Sequence, residues 1–183
     1  MTYNDPIDYL EALFTILRAE QKQLANITGL QSIHLQIVYY LGRCNRYSDS
    51  LKNLVDFIGQ TKGTTSKSVS LLEAKGFLVK IVDLVDKRKV HLCLSKTGQQ
   101  LAREQHQPWF DALKQLPSEQ QSAFASDLNS FLKAIQESNQ HQKFGVCESC
   151  KHLIRSDDFF RCGLTKETLT KSDLQKICVY HLE

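Results

Sequence analysis

A chain of 183 residues, 42% hydrophobic and 23% charged with a net charge of +3, can bury one substantial core plus a small appendage, and its composition excludes a disordered polymer. The N-terminus, MTYNDPIDYL, lacks the basic-then-apolar layout of a secretory signal. Leu24 to Gly42 has no charged residue but holds Asn26, Thr28, Gln31, Ser32, His34 and Gln36, too polar to span a bilayer, so a cytoplasmic protein without membrane contact is expected.

In chain order, Asn4 or Asp5 with Pro6 predicts the start of a first helix, whose Ile7, Leu10, Phe14, Leu17 and Leu24 form an apolar stripe. Leu30, Ile33, Ile37, Val38 and Leu41 form a second stripe. Leu51, Leu54, Val55 and Ile58 follow at i, i+3, i+4, i+7 spacing over one short helix, with Gly59 and Gln60 making a turn. Thr61 then fits an N-cap, Thr65, Val69 and Leu72 recur as an inward stripe, and Gly76 fits a left-handed C-cap. Val79 and Ile81 alternate with polar positions, Asp83 to Lys89 is a charged turn, and Val90, Leu92 and Leu94 alternate again, which predicts a hairpin with a basic tip. Ser95 is read as the cap of a helix running through Trp109 and Leu113. Pro117 and Ser118, with Gln121 completing a capping box, open another that places Phe124, Leu128, Phe131, Leu132 and Ile135 on one side. The polar run SNQHQK, Ser138 to Lys143, separates this unit from a tail.

Two short helices joined by a tight turn, the second presenting Lys62, Gly63, Thr64, Ser66 and Lys67, are the helix-turn-helix arrangement. Short hydroxyls and a glycine let the first helical turn approach a groove, while lysines and free backbone N–H groups favour phosphate. Lys87, Arg88 and Lys89 would project from the hairpin end, where a guanidinium can enter a narrow minor groove, and Asp86 is placed to orient Arg88. Thr61 to His91 holds seven Lys or Arg and three Asp or Glu, a net +4, so the rest of the chain sums to −1. The positive potential is concentrated on that segment, as counterion-releasing contacts require.

The run from Leu51 through Gly98 resembles the winged helix-turn-helix of the MarR family of bacterial transcriptional regulators, in the recognition pattern TKGTTSKSVSLLEAKGFL and the wing signature DKRKVHLCLSKTG. The resemblance covers roughly the first 140 residues. It implies a mainly α fold with a small β-hairpin wing, Thr61 to Lys67 (Thr61, Lys62, Gly63, Thr64, Thr65, Ser66, Lys67) in the major groove, and Asp86, Lys87, Arg88 and Lys89 on the wing. It further implies a homodimer on double-stranded DNA, with repression the commonest behaviour. The expected organisation is a winged-helix domain over 1–140, with wing and recognition helix at 48–98 and dimerisation helices at 4–27 and 95–139. Long amphipathic helices on both sides of a small core exceed what that core can cover, and a twofold pair would read a palindromic operator. Family members end near residue 140, whereas this chain continues.

The continuation, 141–183, carries four of the six cysteines as C-x2-C-x11-C-x15-C: Cys147, Cys150, Cys162 and Cys178, with His152 and His181 nearby. In a reducing compartment such a set is expected to bind metal rather than form disulfides. The tail's apolar residues, among them Phe144, Leu153, Ile154, Phe159, Phe160 and Leu174, are too few to fold it well alone, so a metal would supply the missing stability. Ser172 is read as capping a short helix that delivers Cys178. Two ligand chemistries stay open. Zinc could take all four cysteines, or Cys147, Cys150 and Cys178 with His181 as the alternative ligand. An iron-sulfur cluster, [4Fe-4S] or [2Fe-2S], tolerates ligands arriving singly, and the spacing is broadly similar to the small cluster-binding subunits of glycyl-radical enzymes and to high-potential iron proteins. Cys44 and Cys93 are read as small half-buried residues without a chemical role, and His34 and His91 as core or surface residues.

The expected function is a sequence-specific DNA-binding regulator whose affinity responds to an iron-sulfur or zinc site in the tail. One alternative is a regulator with a purely structural zinc tail that responds to a small organic effector. Others are a redox or electron-transfer protein using the tail, and a protein-partner module without DNA affinity. No catalytic acid, base or nucleophile constellation appears, so an enzyme is not expected.

Overall fold

The computed structural model describes residues 5–138, 143–156 and 159–182. Asn4, one of the two expected caps, and residues 139–142 of the expected linker lie outside the described residues. Helix α1 (Pro6–Thr28) starts on Asp5, whose carboxylate accepts from the Ile7 N–H at 2.8 Å, with Pro6 in the first turn. Its C-terminal end, through Leu24 and Ala25, rests on the core, but no residue of α1 is fully buried, and Ile7, Phe14 and Ile16 are each about half exposed.

Helix α2 (Ser32–Arg43) is the central element: Leu35, Ile37, Val38 and Tyr40 are fully buried. The short α3 (Leu51–Ile58), capped by Ser50, and α4 (Lys62–Ala74), capped by Thr61, are joined by the three residues Gly59, Gln60 and Thr61. Helix α4 ends in a Schellman motif: the Gly76 N–H bonds the Glu73 carbonyl and the Phe77 N–H bonds that of Leu72, with Gly76 at φ 76°.

Strands β1 (Leu78–Val82) and β2 (Val90–Leu94) form the expected hairpin, Leu78 opposite Leu94 and Val82 opposite Val90. The face that meets the core carries Leu78 and Leu92. Val79 and Ile81 stand on the other face, opposite Cys93 and His91, and are about half exposed. The LSKTG run, Leu94 to Gly98, then turns sharply into the next helix. The Ser95 hydroxyl donates to the Gly76 carbonyl at 2.6 Å and accepts from the Gly98 N–H, and a Cβ on Gly98 would fall 2.0 Å from the Phe77 carbonyl oxygen. Only glycine allows this helix start to sit on the root of the hairpin.

The single helix expected from Ser95 to Leu113 is two: α5 (Lys96–Glu104) and α6 (Gln107–Leu113). Pro108 lacks an N–H and its ring would collide with the preceding turn, so a new helix starts at Gln107. Helix α7 (Ser118–Ser138) follows, and its Gln121 side chain donates to the Leu116 carbonyl at 2.7 Å instead of closing a capping box. Phe124, Leu128, Phe131 and Leu132 lie along it, each roughly two-fifths exposed.

The tail contains two small sheets: β3 (Gly145–Val146) with β7 (Ile177–Cys178), and β4 (Leu153–Arg155), β5 (Phe160–Cys162) and β6 (Thr168–Leu169) in that order. Its second 3-10 turn, Lys171–Gln175, is capped by Thr170, not Ser172. Thr170 forms a reciprocal box with Asp173, and Cys178 then arrives on a strand. The tail is docked, not hung. The Asn45 N–H bonds the Ile177 carbonyl at 2.9 Å, the Val179 N–H bonds Ser48 Oγ at 3.1 Å, and Phe144 packs edge-on against Phe57 with ring centres 4.8 Å apart. Val179, just after β7, belongs to the same buried cluster as Leu35 and Leu54, so the end of the tail supplies part of the main core.

Candidate nucleic-acid interface and cysteine site

On α4, the exposed face carries Thr61, Lys62, Gly63, Thr64 and Lys67, with Ser66 half-buried at its edge. Thr65 is fully buried and its hydroxyl donates to the Thr61 carbonyl at 3.0 Å, so it faces the core and leaves the set of groove-facing residues. That correction follows from its own spacing with Val69 and Leu72. Ser70, exposed three residues after Lys67, extends the same face, and helical periodicity alone would have found it. Gly63 is informative because a Cβ there would meet only Thr61 Oγ1, at 4.0 Å. Nothing inside the chain requires glycine in this helix turn, where it costs about 1 kcal/mol relative to alanine.

The wing tip is built by two aspartates. Asp83 Oδ1 accepts from the Val85 N–H at 2.8 Å and the Asp86 N–H at 2.7 Å, closing the turn. Asp86 Oδ1 accepts from Arg88 Nε at 3.1 Å and from the Arg88 N–H, so the guanidinium, with its side chain 91% exposed, is held outward from the tip. Backbone N–H donors at Asp86 and Val85 and the His91 ring hold the Asp83 carboxyl far below the usual carboxylate range. The Arg88 side chain does the same, more mildly, for Asp86. Lys87 and Lys89 flank Arg88 in solvent, and Leu84 and Val85 are almost fully exposed at the tip.

His91 anchors the wing. Its Nδ1 lies 2.7 Å from Asp49 and its Nε2 3.0 Å from Asp83, and the neighbouring Leu92 N–H bonds the Asp49 carbonyl. Partial burial pulls the imidazole pKa down, but hydrogen bonds to Asp83 and Asp49 and their charges outweigh it and leave the group above its ordinary value. His34 instead accepts from the Gln31 N–H as part of a helix cap.

In the tail, Cys147, Cys150, Cys162 and Cys178 all line one cavity, together with Tyr47, His152, Leu153, Thr165, Leu169 and Asn45. The thiols arrive on three elements: Cys147 opens the first 3-10 turn and Cys150 follows it, Cys162 ends β5 and Cys178 ends β7. Donors point at the sulfurs, with Asn45 Nδ2 3.5 Å from Cys147 and the Thr165 N–H 3.5 Å from Cys162. The Cys147 thiol hydrogen-bonds Cys178 and, against the cost of burial, favours its thiolate. Asn45, the Tyr180 N–H and Ser48 add to this. Gly163 lets the chain after Cys162 close onto the His152 carbonyl, 2.6 Å from its N–H.

His181 does not join this group. It is buried on the other side, 3.0 Å from Ser149 Oγ and stacked over Gly145, so the alternative set with His181 is not brought together. Among the described residues no three His, Cys, Asp or Glu side chains converge tightly enough to grip one ion. Cys44 is buried beside the tail, and burial pushes its thiol up to about 12.

No family model matches the chain, and no curated protein matches it. Solved structures do. A MepR point mutant from a multidrug-resistant S. aureus clinical isolate superposes with a TM-score of 0.60 at 17% identity, over 73% of this chain and 100% of its own. A MarR-family regulator from Listeria monocytogenes, solved with a 26mer DNA, gives 0.57 at 18%, over 74% and 92%. A MarR regulator from Methanosarcina mazei gives 0.52 at 16%, over 71% and 98%. The fold is therefore the winged-helix fold of MarR-type regulators, carried by a chain longer than those it superposes on. Among the described residues no helix is long and apolar enough to cross a membrane.

Proposed function

We propose that this protein is a DNA-binding transcriptional regulator, a homodimeric repressor in the cytoplasm, whose affinity for a palindromic operator is set by a metal group held by Cys147, Cys150, Cys162 and Cys178. The observation that carries the DNA reading is the outward guanidinium of Arg88, fixed by Asp86 on a hairpin beside the exposed polar face of α4. The MarR-like fold of a protein solved on DNA supports it. The apolar faces of α1 and α7, left open in one copy, support pairing with a second.

For the tail, four thiols around one cavity with N–H groups aimed at the sulfurs fit a metal-thiolate site. Zinc would draw all four sulfurs to about 2.3 Å from one centre, whereas a cluster spreads them over the corners of an inorganic core. Cysteines arriving from three elements without converging on one point favour the cluster. When bound, it would supply a reversible change of charge or occupancy. The chain's own contribution is to hold the thiols and carry their state into the docked β7 strand.

Anaerobic purification with an absorption spectrum and iron, sulfide and zinc analysis tests the tail. Iron with acid-labile sulfide supports the cluster. Stoichiometric zinc with no iron removes it and moves the signal to a small organic effector. Anisotropy on duplex DNA across a salt series tests the rest: affinity must fall steeply as salt rises, and a flat profile would favour a protein-partner module.

A further inference from the structure

The four-cysteine cavity and the wing tip are joined by one short segment, residues 45–49. Asn45 bonds Cys147 Sγ at 3.5 Å and its N–H bonds Ile177 of the tail. The next residue, Arg46, faces both ways. Its guanidinium is 3.3 Å from Glu167, on the turn between β5 and β6, and 3.9 Å from Asp83 in the wing-tip turn. Glu167 also gives its carbonyl to the N–H of Cys162, so Arg46 is one residue removed from two of the four cysteines.

On the other side of Arg46, Asp83 is the residue that closes the wing-tip turn and meets His91. Asp86, whose N–H Asp83 holds, is the group that aims Arg88. The Arg46 guanidinium is thus shared between Glu167 on the β5–β6 turn and Asp83 on the wing, so the charge that Asp83 meets depends on where that turn holds Glu167. Of the other contacts between tail and core, Tyr180 to Asn53 leads to α3, while Val179 to Ser48 stands beside Asp49 and its His91, a second route to the wing that the Arg46→Ala background leaves intact.

We propose that Arg46 is a positioning residue that couples the occupancy of the cysteine cavity to the geometry of the wing tip. The proposal rests on the reading of the tail as a metal-thiolate site and the wing as a DNA arm, but the coupling can be measured without either ligand. Contiguity alone does not establish coupling, so the test is a double-mutant cycle.

Amide hydrogen exchange is followed in the full-length protein over the wing tip, 83–90, and over the tail, in wild type, Cys162→Ser, Arg46→Ala and the double variant. Cys150→Ser, at a half-buried position just after the first 3-10 turn, replaces Cys162→Ser if the latter does not fold. Because exposed ion pairs transmit modest energies, the cysteine variant is expected to change wing-tip exchange by about two- to fivefold in the Arg46 background and not in the Arg46→Ala background, while tail exchange changes in both. A wing response undiminished in Arg46→Ala, or a tail response with no wing response in the Arg46 background, overturns it. Metal analysis of the same wild-type preparation reports separately on the tail. A metal-free protein would sink the thiolate-site reading while the cycle still decides the coupling.

Discussion

The wing tip and the cysteine cavity are built by opposite means. At the tip, Asp83 bonds residues two and three positions on and Asp86 bonds Arg88 two positions on, so the functional geometry is made almost within a heptapeptide. Around the cavity, Cys147 meets Asn45 across 102 positions, and β7 is fixed by a bond from Val179 to Ser48 across 131. A local device tolerates changes elsewhere and loses its function residue by residue. A device assembled from distant pieces fails together, because its ordering cost is met only when all pieces are present.

Four measurements test this contrast. The largest effect is expected from Gly98→Ala, which drives a methyl into the Phe77 carbonyl and should cost about 3 kcal/mol or more, read as a large fall in the urea midpoint; a near-wild-type midpoint would show that the hairpin root can relax. Next, Arg88→Ala with Lys67→Ala should weaken duplex binding by about 2–5 kcal/mol and lower the slope of log affinity against log salt by about 2, with thermal stability unchanged. Unaltered binding would end the regulator reading. Third, Val179→Ala should cost about 1–3 kcal/mol and, unlike the wing variant, reduce metal content at the same time, because it loosens the strand that carries Cys178.

The smallest effect concerns pH. Because the folded-state pKa of His91 is raised, its bridge between Asp49 and Asp83 contributes stability fully below about pH 6.5, its ordinary value, and loses it as pH climbs through the raised folded value. Melting temperatures of wild type and His91→Gln should differ most at the acid end and converge toward alkaline pH. Curves that stay parallel would show that His91 bridges as a neutral ring.

This contrast also explains what can be read from the amino-acid order. Caps at Asp5, Thr61 and Ser95, the hairpin and the Asp86 to Arg88 pair are all local, and each is legible. Thr65 is placed inward by its spacing with Val69 and Leu72, and only its position inside the Thr61 to Lys67 run puts it on the groove face. The break at Gln107 is foreseeable from Pro108 alone. The cysteine spacing announces a shared site, which the single cavity supports, but cannot separate the thiols from His181: three residues along a strand end turn the imidazole to the far side. Nor can it reveal Asn45, Ser48 and Arg46, whose partners are over a hundred positions distant or in another element.

Ser48 and Val179 set a schedule as well as a contact. A ribosome adding roughly 5–20 residues per second reaches Val179 roughly 7–26 s after Ser48, and until then the pocket beside α2 and α3 stands open to water. A nascent chain therefore carries α4 and the wing well before the plug that completes their support, so premature release at any point before residue 179 yields a molecule with both in place and a hole in its flank.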